Sequence, residues 1–172
     1  MKYQAVVPAE AYKLLNSGGV VLVCTRSSEG QYDLAPVAWT CPLDYDPVSR
    51  VVIVLDPGHA TCVNIMRSGL FALALPTYGQ KAMVLKAGAL HGHGIDKYAV
   101  LGIPSRSAAD MDVLIPEGAA GWVECRTLEV RPIGSVVLIA GEITHAEAVE
   151  DAWKLRLHHG GGELFYRPGE SV

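Results

Sequence analysis

The residues best placed to do chemistry stand around one turn, in Asp56-Pro57-Gly58-His59-Ala60-Thr61-Cys62-Val63-Asn64-Ile65. A β-like run ends there in Pro-Gly. Helical spacing then begins, with Cys62, Ile65 and Met66 at i, i+3 and i+4. A helix start presents unpaired N–H groups and a partial positive charge, so it favours phosphate. Thr61 adds a hydroxyl, His59 an imidazole and Asn64 an amide in the first turns. Taken alone, Thr61 reads more readily as an ordinary helix cap, with Gly69 as the stop. A second constellation is Asp33-Leu34-Ala35-Pro36-Val37-Ala38-Trp39-Thr40-Cys41-Pro42.

Other reactive types have blander readings. His91-Gly92-His93 and His158-His159 raise the question of a metal. Histidines in glycine-rich loops are usually solvated, so no metal site is expected. Nothing in the spacing makes Cys41 a nucleophile rather than a thiol. Glu142, Glu147, Glu150 and Asp151 read as a solvated acidic face.

The elements that must position these residues are mostly short strands. The chain carries 18 Gly and 10 Pro between short apolar runs. Strands are expected at 19–25, 35–41, 50–55 and 70–75, with Pro42 ending the second. The third, Arg-Val-Val-Ile-Val-Leu, is continuous and reads as buried on both faces. Helices are expected at 61–68, 78–87 and 96–101, and a short one within 147–157. The long run 121–133 changes apolar parity between Cys125 and Leu128, the mark of a β-bulge. Another strand follows at 135–143. Residues 158–172 show no periodicity and read as a C-terminal loop. Consecutive strands with small inserted helices argue for a mainly β, antiparallel barrel rather than a doubly wound parallel sheet. The Gly-rich dinucleotide and P-loop fingerprints do not occur.

Composition bounds the class. The chain has 172 residues, enough for one domain, and is 50% hydrophobic, enough for a core. Its formal net charge of −4 disfavours general nucleic-acid binding. Its longest apolar runs are far below the roughly 20 residues of a membrane span, so no membrane partner is expected. Four scattered cysteines without paired spacing suit reduced thiols in a cytoplasmic protein.

In order along the chain, several segments carry a family likeness. They are Asp33-Leu34-Ala35-Pro36-Val37-Ala38-Trp39, His59-Ala60-Thr61-Cys62-Val63-Asn64-Ile65, Gly94-Ile95-Asp96-Lys97-Tyr98, Trp122-Val123-Glu124-Cys125, Ile139-Ala140-Gly141-Glu142-Ile143, and the closing His158-His159-Gly160-Gly161-Gly162 with Tyr166. Together they resemble the flavin reductase-like family of FMN-binding split barrels, most closely its flavoredoxin-type branch. The likeness spans about residues 18–168. Asp33 and His59 depart from it, where the family often has Asn and Lys or Arg.

The resemblance implies an FMN-binding split β-barrel that is homodimeric. Residues 1–172 read as one domain, and 1–17, outside the likeness, read as an N-terminal capping segment with a short helix at 9–15. The resemblance implies that Ala38, Trp39, Thr40 and Cys41 run along the flavin. His59, Thr61 and Asn64 carry over as phosphate or ribityl contacts, and Lys97 as a contact to the flavin rim. His159 and Tyr166 are candidates for the nicotinamide side, against the plainer reading of a loop that closes the dimer surface. Two functions remain open: an NAD(P)H-dependent flavin reductase, and a flavoredoxin-type electron carrier with tightly bound FMN and no nicotinamide site. A flavin-storage or pyridoxamine phosphate oxidase-like module is a third.

Overall fold

Strand β1, Val21–Arg26, is Val-Leu-Val-Cys-Thr-Arg, and its first five residues are all buried. Its even and odd side chains enter two different cores, so it is covered on both faces. A computed structural model describes residues 18–169, so the expected capping segment at 1–17 lies outside the described residues.

Six more strands complete the main sheet: β2 Tyr32–Val37, β3 Thr40–Asp44, β4 Arg50–Leu55, β5 Leu70–Leu75, β8 Gly121–Ile133 and β9 Val136–Ala148. A small hairpin, β6 Ser105–Ser107 with β7 Leu114–Pro116, precedes β8. The sheet order is β2-β1-β5-β8-β9-β4-β3, and every pairing is antiparallel. β2 and β3 are successive in the chain yet occupy opposite edges. Only Ala38 and Trp39 separate them, and three Cα steps span at most about 11 Å. The two edges must therefore lie close together, and the sheet curls into a barrel with a split at that point. The Trp39 carbonyl accepts Val54 N–H at 3.0 Å, which extends the β3–β4 pairing by one residue toward the split.

One core cluster contains Val21, Val23, Ile53, Phe71, Leu73 and Ile139, and helix α1, Ala60–Ser68, adds Cys62 and Ile65 to it. The other contains Leu22, Cys24, Leu34, Ala72, Val84, Ala87 and Tyr98. Helices α2, Lys81–Ala89, and α3, Lys97–Leu101, supply the last three. Gly141 is required where Phe71 crosses β9, because a Cβ there would sit 2.6 Å from the ring.

Several expectations hold. Gly69, at φ 70°, ends α1 and donates to Ile65 O at 2.8 Å. The β8–β9 register shifts between Thr127 and Glu129, leaving Leu128 as the extra residue where the parity changed.

Others are corrected. The run 35–41 is not one strand: β2 ends at Val37, and Pro42 lies inside β3 instead of ending a strand. β4 buries only Ile53 and Leu55, because only one of its faces meets a core cluster. The second helix runs past 87 to Ala89 behind a 3₁₀ turn at Tyr78–Gln80. Within 147–157, β9 continues to Ala148 and only α4, Ala152–Leu155, is helical. The tail is a hairpin rather than a loop, β10 His158–Gly161 with β11 Leu164–Tyr166. It is tied to the start of the barrel by His159 N–H to Gly18 O at 3.0 Å.

Candidate functional site

A cleft of about 230 Å³ opens where α1 begins. Ala35 and Pro36 of β2 form one wall, and Ala87 and Gly88 of α2 form another. Gly88 allows the two walls to meet closely, since a Cβ there would lie 3.0 Å from Pro36 Cγ. Gly58, His59, Ala60 and Thr61 lie at the helix start, and His91, Gly92 and His93 form the lip. The His59 and His91 rings lie 5.7 Å apart, and His93 Nε2 is 3.1 Å from Gly58 O. Three imidazoles thus surround a helix N-terminus, an arrangement suited to an anion.

The Thr61 cap is a correction. The N-cap is His59, with φ −78° and ψ 142° and no side-chain capping bond. Thr61 is the second residue of the helix, and its buried hydroxyl donates to Asp33 Oδ2 at 2.5 Å. Its proton is therefore directed away from the cleft. A ligand there meets the first-turn N–H groups, which have no intrahelical acceptor.

Lys97 also lines the cleft, but its ammonium is committed. It lies 3.0 Å from Asp33 Oδ1 and donates to Leu34 O at 3.0 Å and to Ala87 O at 3.3 Å. Asn64 is buried, and its Nδ2 donates to Thr25 Oγ1 at 3.1 Å, fastening α1 to β1. It lines a neighbouring cavity of about 150 Å³ with Asp33, Ser28 and Arg67.

Ala38, Trp39, Thr40 and Cys41 lie past the cleft, at the split between β2 and β3. Trp39 is 44% exposed, and Cys41 is exposed too. His159 and Tyr166 are on the β10–β11 hairpin and outside the residues lining the cleft of the same chain. His159 Nε2 pairs with Gly162 O, and its ring packs on Phe165 at 5.1 Å. Burial pushes the Cys24 and Cys125 thiols up to about 12, so neither supplies a nucleophile.

Sequence reasoning missed His91 and His93 as site residues. A usable signal exists: α2 must bury Val84 and Ala87 beside β2, which delivers the following loop to the start of α1. Glu124 was also missed. It is fully buried, with Oε1 accepting Ala109 N–H at 2.7 Å and Trp122 Nε1 at 3.1 Å, and Oε2 accepting Asp110 N–H at 2.9 Å. A larger cavity, about 480 Å³, lies between Ile115–Trp122 and the end of β9. Its size alone does not make it the site, because the polar groups at its rim, Arg106, Glu117 and Glu147, stand on exposed surface.

The chain belongs to the flavin reductase-like family: the family model described as flavin reductase like domain matches residues 15–165. Among solved structures it is similar to an FMN-binding protein from Thermus thermophilus with bound p-hydroxybenzaldehyde. That likeness has 24% identity and a TM-score of 0.84, covering 100% of this chain and 98% of the other. It is also similar to an FMN-binding domain of a flavin reductases-like enzyme from Shewanella baltica OS155, at 29% identity and TM-score 0.75, covering 98% and 95%. A flavoredoxin of Desulfovibrio vulgaris is 18% identical with TM-score 0.84, covering 100% and 96%. No curated protein matches at a significant level. Among the described residues, no helix is long and apolar enough to cross a membrane.

Proposed function

We propose that this chain is a homodimeric flavoprotein that holds FMN and acts as an NAD(P)H-dependent oxidoreductase. The observation that carries this reading is the cleft at the start of α1, ringed by His59, His91 and His93. Its chemistry fits the phosphate end of FMN: first-turn N–H donors, a helix dipole and imidazole donors. The family and the FMN-binding relatives agree with it.

The cleft also sets a size limit. Ligand pockets commonly run to about 300–1,000 Å³, and this one is smaller. It accommodates the phosphate and ribityl portion. The ring must then extend along Ala38–Trp39–Thr40–Cys41, where backbone groups at the split meet its polar edge. Trp39 in that stretch is exposed in a single chain, as are Leu43, Tyr45 and Val48 further along β3 and the turn after it. A second copy covering this apolar edge would exclude water from the ring.

Bound FMN supplies hydride acceptance from a nicotinamide and onward electron transfer to an acceptor. The chain's part is to bind and orient. The α1 start anchors the anion, Pro36 and Gly88 confine the ribityl chain, and the split presents the ring. No protein acid or base is needed for the hydride step.

A flavoredoxin-type carrier is the second reading. It is favoured by the position of His159 and Tyr166, which leaves the cleft of the same chain without a nicotinamide-side residue. Anaerobic mixing of the FMN-loaded protein with NADH and with NADPH separates the two. Bleaching of the flavin absorption by either donor is the expected result. Bleaching by dithionite alone supports the carrier, and failure to retain FMN after reconstitution overturns both readings.

A further inference from the structure

Behind the cleft wall lies a closed polar network. Asp33 comes from β2, Thr61 from the first turn of α1, and Lys97 from the start of α3. The two charged side chains are only 7% and 5% exposed for lysine and aspartate respectively. Asp33 uses both oxygens, Oδ1 toward Lys97 Nζ at 3.0 Å and Oδ2 toward the Thr61 hydroxyl. Leu34 O and Ala87 O take the remaining ammonium protons. An ammonium has three N–H donors, so all are spent inside the protein. Yet Lys97 and Thr61 both line the cleft.

We propose that Asp33 is a positioning residue that withholds the Lys97 charge from the cleft. Lys97 is then a neutralised strut joining β2, α2 and α3. The anion is held by the α1 start and the lip histidines instead. Asp33 sets two things at once: it turns the Thr61 hydroxyl inward, and it cancels a cation that would otherwise stand beside the phosphate. This inference rests on the FMN reading and specifies how that site treats charge.

The test compares FMN with riboflavin, which lacks the phosphate, in equilibrium titrations read by flavin fluorescence. Asp33→Asn keeps an acceptor for the Thr61 hydroxyl and removes the negative charge. Lys97 keeps its two carbonyl partners, so its unbalanced charge stays near the cleft. Attraction at an effective dielectric constant near 20 then raises the ratio of FMN to riboflavin affinity by about tenfold. Added salt shrinks that gain. In Asp33→Asn/Lys97→Met both charges are gone, and the ratio stays within about twofold of the unmodified protein, since the net charge beside the cleft is again zero.

A mere packing role for Asp33 predicts something else: both affinities fall by a common factor in Asp33→Asn and the ratio is unchanged. That result overturns the proposal. So does a fall of the ratio in the double variant, which would mean that Lys97 already serves the phosphate. If Asp33→Asn does not fold, Lys97→Met decides together with the double variant: the unbalanced Asp33 carboxylate lowers the ratio by about tenfold in Lys97→Met while the double variant keeps it, and an unchanged ratio in both overturns the proposal. Unmodified protein that binds neither flavin overturns the FMN reading, and this inference with it, before any variant is made.

Discussion

Lys97→Met is expected to lower the unfolding free energy by about 3–5 kcal/mol, the cost of removing one partner from a buried ion pair. The expectation follows from burial and partner count. Asp33 is buried, and without Lys97 its carboxylate keeps, among the described residues, only the Thr61 hydroxyl. Leu34 O and Ala87 O lose the same donor. Methionine roughly fills the volume but cannot donate. Urea unfolding of the flavin-free protein measures the loss without any ligand contribution. The double variant with Asp33→Asn should regain most of it, because an uncharged, filled site is often as stable as the ion pair it replaces. A loss below about 1 kcal/mol would put the pair in the range of solvent-exposed bridges, and the closed network would then be wrong.

Glu124→Ala should cost about 3 kcal/mol, from three donors that lose their acceptor. The carboxylate is fully buried in β8 and reaches the backbone of Ala109 and Asp110 and the indole of Trp122. It thereby ties the loop between β6 and β7 to the sheet. Glu124→Gln keeps one acceptor oxygen and turns an amide toward another donor, so its cost should be intermediate. The order unmodified, then Gln, then Ala is the expected result in denaturant midpoints. Trp122 emission should change in both variants, because its indole N–H loses or changes its acceptor. Equal stability of all three proteins would show that water replaces the carboxylate at no cost.

Local pattern made much of the barrel legible. The strand runs at β1, β4, β5 and β9 are apolar over several residues, and α1 has both helical spacing and a glycine stop. The bulge at Leu128 was visible because period-two alternation cannot survive an extra residue. The break at Ala38 and Trp39 was not visible. An extended chain that leaves one sheet edge and joins the other keeps the same local conformation, and only the hydrogen-bond partners change. The β10–β11 hairpin was hidden for a related reason: three consecutive glycines carry no alternation, and the pairing depends on Gly18 and Gly19 far away in sequence.

The site was read in part. The segment 56–65 was singled out for helix-start chemistry, and the structure puts His59 and Thr61 at a cleft. What the individual side chains do depends on long-range neighbours. Thr61 turns to Asp33 from 28 residues away and Asn64 to Thr25 from 39, so neither role follows from local spacing. In sequence Lys97 reads as a flavin-rim contact and Asp33 as a departure from the family pattern, with nothing to join them. Only the packing of α3 against β2 makes them a buried pair. His91 and His93 looked like solvated loop residues until α2 carried them to the lip of the cleft.

The most direct test of the central claim is an amide chemical-shift map of flavin-free protein titrated with FMN. The account predicts the largest changes at Gly58, Ala60, Thr61 and Gly88, with a second group at Ala38–Cys41. Changes centred instead on the Ile115–Trp122 cavity, with Ala60 and Thr61 unmoved, would contradict it.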